Sequence, residues 1–165
     1  MQTNGPMKFN LPGLADGATL PDAQVFNSFG CSGGNQSPMI MWNNVPPGTQ
    51  SLALTMYDPD APTGSGWWHW VVFNIPSGMA GLPANASGKL PKGAIESVTD
   101  YGNPGYGGAC PPVGSPPHHY IFTLYALKVK TLPLDAKTPP AMVGFYVNQN
   151  TLAKATVTLL YGRNK

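Results

Sequence analysis

The sequence predicts a mainly β protein, an antiparallel sandwich or barrel with little helix, and three observations carry that expectation. Short apolar runs alternating with a period of two recur along the chain, separated by turn signals. Gly 20 and Pro 19 among 165 residues are spread throughout, which suits many short elements joined by tight connections. Only the region 141–155 reads as helical.

Taken in order, residues 1–19 read as an irregular lead-in. Residues 20–29 and 38–42 are expected strands, separated by a Gly- and Ser-rich loop over 31–37. A turn at 45–49 feeds a strand over 51–57, where Leu52, Leu54 and Met56 share one face. Pro59 and Pro62 keep the next stretch out of a central ladder. Residues 68–75 form the partner strand, whose alternation groups His69, Val71, Phe73 and Ile75. A long connection over 76–104 holds one short strand around 94–98. Residues 118–130 form the longest strand, with His118, Tyr120, Phe122, Leu124 and Ala126 on one face. Thr138, followed by proline, is expected to cap a helix. The region 141–155 then reads as one or two short helices broken near 148–150, and 155–161 as a closing strand.

Length suits a single domain over 1–165, able to bury a core without staples. Charged residues make up 10% of the chain, with a net charge of +2, against about 25% in an average domain. The basic residues form no run, which disfavours nucleic acid as a partner. No stretch approaches the ~20 apolar residues of a membrane span, and the first ten residues lack the pattern of a signal peptide. A mature exported chain starting at an added methionine would look the same.

Cys31 and Cys110 both lie in Gly-rich loops. A disulfide between them would close a loop of about 80 residues, worth about 4.5 kcal/mol on a chain-entropy model. It would also imply an oxidising compartment. Two free thiols in a cytosolic protein are the alternative. The low charge tips the balance towards a periplasmic or secreted mature form over a cytoplasmic one.

The chemistry concentrates in two segments, 57–70 and 107–120. Continuing the alternation of 51–57 puts Asp58 on the apolar face at the last pleat. His69 opens the stripe of the next strand, and His118 and Tyr120 open that of the longest one. An acid, two imidazoles and a phenol thus come to matching strand ends, where buried polar groups need a common partner. A carboxylate beside imidazole, with phenol and Gly-rich backbone nearby, forms a receptor for phosphate, sulfate or carboxylate. Asp60 is assigned the ordinary turn-opening role. The rival reading is a metal-dependent enzyme of jelly-roll type using His69, His118 and Asp58. His118 and His119 are adjacent and point to opposite faces, which leaves two inward histidines for it. A Gly-x-Ser-x-Gly elbow and a phosphate-binding Gly loop are absent.

The run Tyr57-Asp58-Pro59-Asp60-Ala61-Pro62, then Gly66-Trp67-Trp68-His69-Trp70, then Cys110-Pro111-Pro112 leading to His118-His119-Tyr120, resembles the two signature regions of the phosphatidylethanolamine-binding proteins. The wording of the first region, with Ala141-Met142-Val143-Gly144-Phe145, is similar to the bacterial branch called Raf-kinase-inhibitor-like. The resemblance extends over about 26–162. It implies a Greek-key-like β-sandwich of two antiparallel sheets with a small rim pocket for phosphate-type anions or phospholipid head groups. Asp58, His69, His118 and Tyr120 match the pocket residues, and Trp67, Ala109, Cys110 and Pro112 its walls. It further implies a non-enzymatic role without a cofactor, a homodimer, and a protein partner such as a kinase. His119 stands where the family often has arginine.

Overall fold

In the computed structural model, residues 6–164 are described. The strands are β1 (Lys8–Asn10), β2 (Ile40–Asn43), β3 (Ser51–Asp58), β4 (Trp67–Pro76), β5 (Gly81–Leu82), β6 (Ile95–Glu96), β7 (His118–Leu127) and β8 (Thr151–Tyr161). One helix, α1 (Pro140–Asn150), precedes β8. A three-stranded sheet has the order β1-β2-β5, and a five-stranded sheet the order β6-β4-β3-β7-β8. Every ladder between these strands is antiparallel.

The layers explain the composition of the central strands. One cluster fills the space between the sheets, joining Phe9, Ile40, Trp42 and Leu82 of the small sheet to Leu54, Met56, Val72 and Phe122 of the large one. A second lies on the outer face of the large sheet, where Val143 and Val147 of α1 cover Ala53, Val71 and Phe73. β3 is therefore apolar on both faces, and a strand covered twice loses the polar half of its alternation.

Several elements differ from the sequence reading. The lead-in contains β1, while residues 1–5 of it lie outside the described residues. Residues 20–29 form no strand; a 3-10 turn, Asp22–Gln24, stands between isolated bridges at Thr19 and Val25. The helical region is one unbroken helix ending at Asn150. Residues 151–154, read as helix, begin β8, because pairing along β7 from Leu127 to His118 outweighs the helical preference of Leu152-Ala153-Lys154. Thr138 does not cap α1: the cap position is Pro139, and the Thr138 hydroxyl lies 3.5 Å from Asp135 Oδ1.

The decisive departure lies in β4. Asp58 pairs with Trp67 and Tyr57 with Trp68, but Met56 pairs with Trp70, so His69 is the extra residue of a bulge. A second irregularity lies between the Leu52–Ile75 and Leu54–Val72 pairs, beside Asn74 at φ 58°. Each one-residue slip exchanges the faces of the residues beyond it. Trp70, Val72 and Ile75 therefore join the cluster between the sheets, and Val71 and Phe73 face the helix. The expected stripe of His69, Val71, Phe73 and Ile75 is split between both sides.

Candidate functional site

The strand ends of β3, β4 and β7 meet at one rim, and there the structure brings together four of the residues singled out by alternation. Asp58 is 2%, His69 3%, His118 5% and Tyr120 0% exposed. All four line a cavity of about 240 Å³, with Trp67, Cys110 and Pro112 in its wall. Ala109 does not line it; fully buried, it bridges Val25 behind that wall.

Asp58 has both oxygens committed within the protein. His118 donates from Nδ1 to Oδ2 at 2.7 Å, and the backbone N–H of Asp60 donates to Oδ1 at 2.8 Å. The carboxylate thus holds the following turn with one oxygen and orients an imidazole with the other. The turn opener is Asp58, correcting the assignment of that role to Asp60. Asp60 instead accepts from the backbone N–H and Nδ1 of His119, each at 2.7 Å, on the exposed side of β7.

The other ring nitrogen of His118, Nε2, is not used by Asp58. Ser115 Oγ lies 3.5 Å from it, and that hydroxyl donates to the Pro112 carbonyl at 3.0 Å.

His69 is held differently. Its Nδ1 lies 2.7 Å from the Gly107 carbonyl oxygen, which can only accept, so Nδ1 carries the proton. Burial pushes the ring down to about 4 from 6.5, overriding the Gly107 hydrogen bond and the Asp58 charge, which act the other way. Gly107 is required here because a Cβ would run into the Tyr101 ring. The loop is pinned further by Tyr101 Oη donating to the Gly108 carbonyl at 2.8 Å and by Gly108 N donating to Asn35 Oδ1 at 2.8 Å.

Two donors on lining residues, Tyr120 Oη and Trp67 Nε1, are buried without a partner in the protein. Burial raises Tyr120 well above the ordinary phenol value, with Asp58 adding to the effect, so it stays protonated. The cavity combines a paired acid and imidazole, a second imidazole of fixed tautomer, and unused N–H and O–H groups.

The far wall is closed covalently. Cys31 and Cys110 form a disulfide, S–S 2.10 Å. Arg163 braces the same loops, donating to the carbonyls of Pro111 at 3.0 Å and Gly30 at 3.2 Å. Phe29 and Tyr101, which the sequence reading missed, also line the cavity, as do Ala61, Pro62, Thr63 and Pro111. Tyr101 lies in a connection without periodicity and left no signal. Phe29 could have been inferred from the cysteine pair, since bridging Cys31 to Cys110 brings the preceding loop to the wall.

The two-sheet antiparallel sandwich is the fold of the phosphatidylethanolamine-binding protein class. The model of that family, Phosphatidylethanolamine-binding protein, matches residues 12–162, and the chain belongs to it. Among relatives, YbcL of Escherichia coli is 50% identical over 152 residues, covering 90% of this chain and 83% of that protein. YbhB of the same organism is 46% identical over 158 residues, covering 94% and 99%. The crystal structure of Escherichia coli YbcL, described as a new member of the mammalian PEBP family, superposes with a TM-score of 0.93 at 46% identity, covering 96% of this chain and 99% of that one. No helix among the described residues is long and apolar enough to cross a membrane.

Proposed function

We propose that the protein binds phosphate-type anions, free or as a phospholipid head group, in the rim cavity without transforming them. The observation that carries this reading is the pair of buried unpartnered donors, Tyr120 Oη and Trp67 Nε1, on residues that line the same cavity as the Asp58-oriented His118. Buried polar atoms are nearly always hydrogen-bonded, and an oxyanion supplies the missing acceptors. Asp58 acts here as a positioning residue, since its own oxygens are already occupied. Arg163 and the disulfide hold the wall that carries Cys110 and Pro112.

The test is titration calorimetry with inorganic phosphate and phosphoethanolamine. Wild-type protein binds and His118→Ala binds at least tenfold more weakly, about 1.4 kcal/mol. No heat with wild type, or unchanged affinity in the variant, overturns the reading. The disulfide suits an oxidising compartment, and we infer an exported chain. A homodimer and a signalling partner belong to the same proposal, and light scattering on the purified protein reads the first.

A further inference from the structure

We propose, resting on the anion-binding reading and narrowing it, that the cavity selects a phosphorus oxyacid that still carries a P–OH, namely inorganic phosphate or a phosphomonoester such as the freed head group phosphoethanolamine, over sulfate and over phosphodiesters, the head group of an intact phospholipid included. Such a ligand donates its hydroxyl proton to His69 Nε2 while its other oxygens accept from the remaining groups.

The first support is the tautomer. A carbonyl oxygen fixes the His69 proton on Nδ1, so the neutral ring offers the cavity an acceptor at Nε2. An oxygen with no hydrogen would face that nitrogen lone pair to lone pair. Protonating the ring would remove the conflict, but its surroundings disfavour the cation. The neighbours in ring contact are Tyr101, at 5.6 Å between centroids, and Tyr120, at 5.3 Å, both kept neutral by burial. The acidic groups facing the ring, Asp58 and Asp100, favour the cation, but burial prevails over them.

The second support is the charge of the wall. No lysine or arginine is among the described residues that line the cavity. The one carboxylate among the described lining residues, Asp58, is already paired with His118. A dianion would enter without a net counter-charge, at a high desolvation cost. Dihydrogen phosphate or a monoester monoanion carries less charge and brings its own donor. Selectivity of this kind exceeds what pocket size alone provides, because the wrong ligand leaves a buried acceptor unpaired.

The experiment is calorimetry at pH 6 and constant ionic strength with four probes: inorganic phosphate, phosphoethanolamine, sulfate and dimethyl phosphate. A monoester titrates near that pH, so its P–OH form is populated, whereas sulfate and dimethyl phosphate have no such proton. Phosphate and phosphoethanolamine bind at least about tenfold tighter than sulfate and dimethyl phosphate. In His69→Gln, whose amide can turn either a donor or an acceptor to the cavity, the preference for phosphate over sulfate shrinks to within about twofold. Equal binding of phosphate and sulfate by wild type overturns the selectivity and leaves the anion reading standing. Failure of all four probes to bind removes both. Preference for phosphoethanolamine with dimethyl phosphate equal to inorganic phosphate assigns the selectivity to the ammonium group and overturns the P–OH proposal. Circular dichroism of His69→Gln, together with a preference retained in Asn35→Ala, which loosens the same loop from outside the cavity, separates a lost acceptor from a disturbed loop.

Discussion

His118 Nδ1 lies 2.7 Å from Asp58 Oδ2, with both side chains buried, and this contact joins two strand ends 60 positions apart in sequence. Losing one partner leaves the other polar group in the interior without its complement, which costs more than the pair contributes when intact. Asp58→Ala, which also strips the acceptor from Asp60 N, destabilises by about 3 kcal/mol in urea unfolding. Asp58→Asn keeps an oxygen for the turn and costs less than half of that. Equal losses in both variants would contradict the two-oxygen assignment.

Tyr120→Phe behaves in the opposite sense. The hydroxyl is fully buried and unpartnered, so deleting it relieves an unmet hydrogen-bonding requirement. The ligand-free variant is more stable by about 1 kcal/mol, read as a higher urea midpoint at unchanged slope. Its affinity for phosphate falls by roughly tenfold. A lower midpoint would show that the hydroxyl is satisfied in the native protein.

The pH dependence of stability has a definite sign at His69. The native ring titrates near 4, while the unfolded one does so near 6.5. Between these values the unfolded chain binds the extra proton, so stability is fully present above pH 6.5 and declines as the pH falls towards 4. Thermal melts of wild type and His69→Gln should converge as the pH drops from 7.5 to 4.5. Parallel curves over that interval would exclude the depressed titration.

Reduction of Cys31–Cys110 opens a loop spanning 79 positions and lowers stability by about 4.5 kcal/mol on the chain-entropy model. Because Cys110 lines the cavity, Cys31→Ser/Cys110→Ser also weakens phosphate binding. Unfolding with and without a reductant measures the first effect, and calorimetry on the double variant the second.

Gly107→Ala tests the loop that fixes the His69 tautomer. The added methyl meets the Tyr101 ring, so either the ring leaves its place beside His69 or the Gly107 carbonyl withdraws. Overpacking of this kind costs about 1–3 kcal/mol, and in a histidine NMR spectrum the His69 Nδ1 proton moves upfield as its hydrogen bond lengthens. A stable variant with an unmoved resonance would refute this account.

Much of the rim was legible because β3 and β7 keep their alternation to the last pleat: Asp58 follows Leu54 and Met56, and Tyr120 and His118 precede Phe122. His69 reached the expected rim by a route that alternation could not reveal. The bulge turns it inward with Trp70, whereas strict pleating would have sent it with Val71 to the helical side. Bulges leave little trace in a single sequence when, as in Trp68-His69-Trp70, the flanking residues are all large. β1 was invisible because three residues, with only Phe9 inward, carry no period. The start of β8 was hidden by residues that favour helix in isolation and are held extended by β7. Tyr101 owes its place to ring contacts with Phe26, Trp67 and His69, which are long-range and unpatterned.

Arg163, near the end of the chain, ties the carbonyls of Gly30 and Pro111 into one unit. The stretch after β8 is thus a latch on the chamber's outer side, fastened to the loop of Cys110, whose Sγ lies 3.6 Å from the Arg163 guanidinium. Trimming the protein before that arginine, or burdening the tail with a bulky fusion, would register first as weaker ligand capture, with heat resistance affected only afterwards.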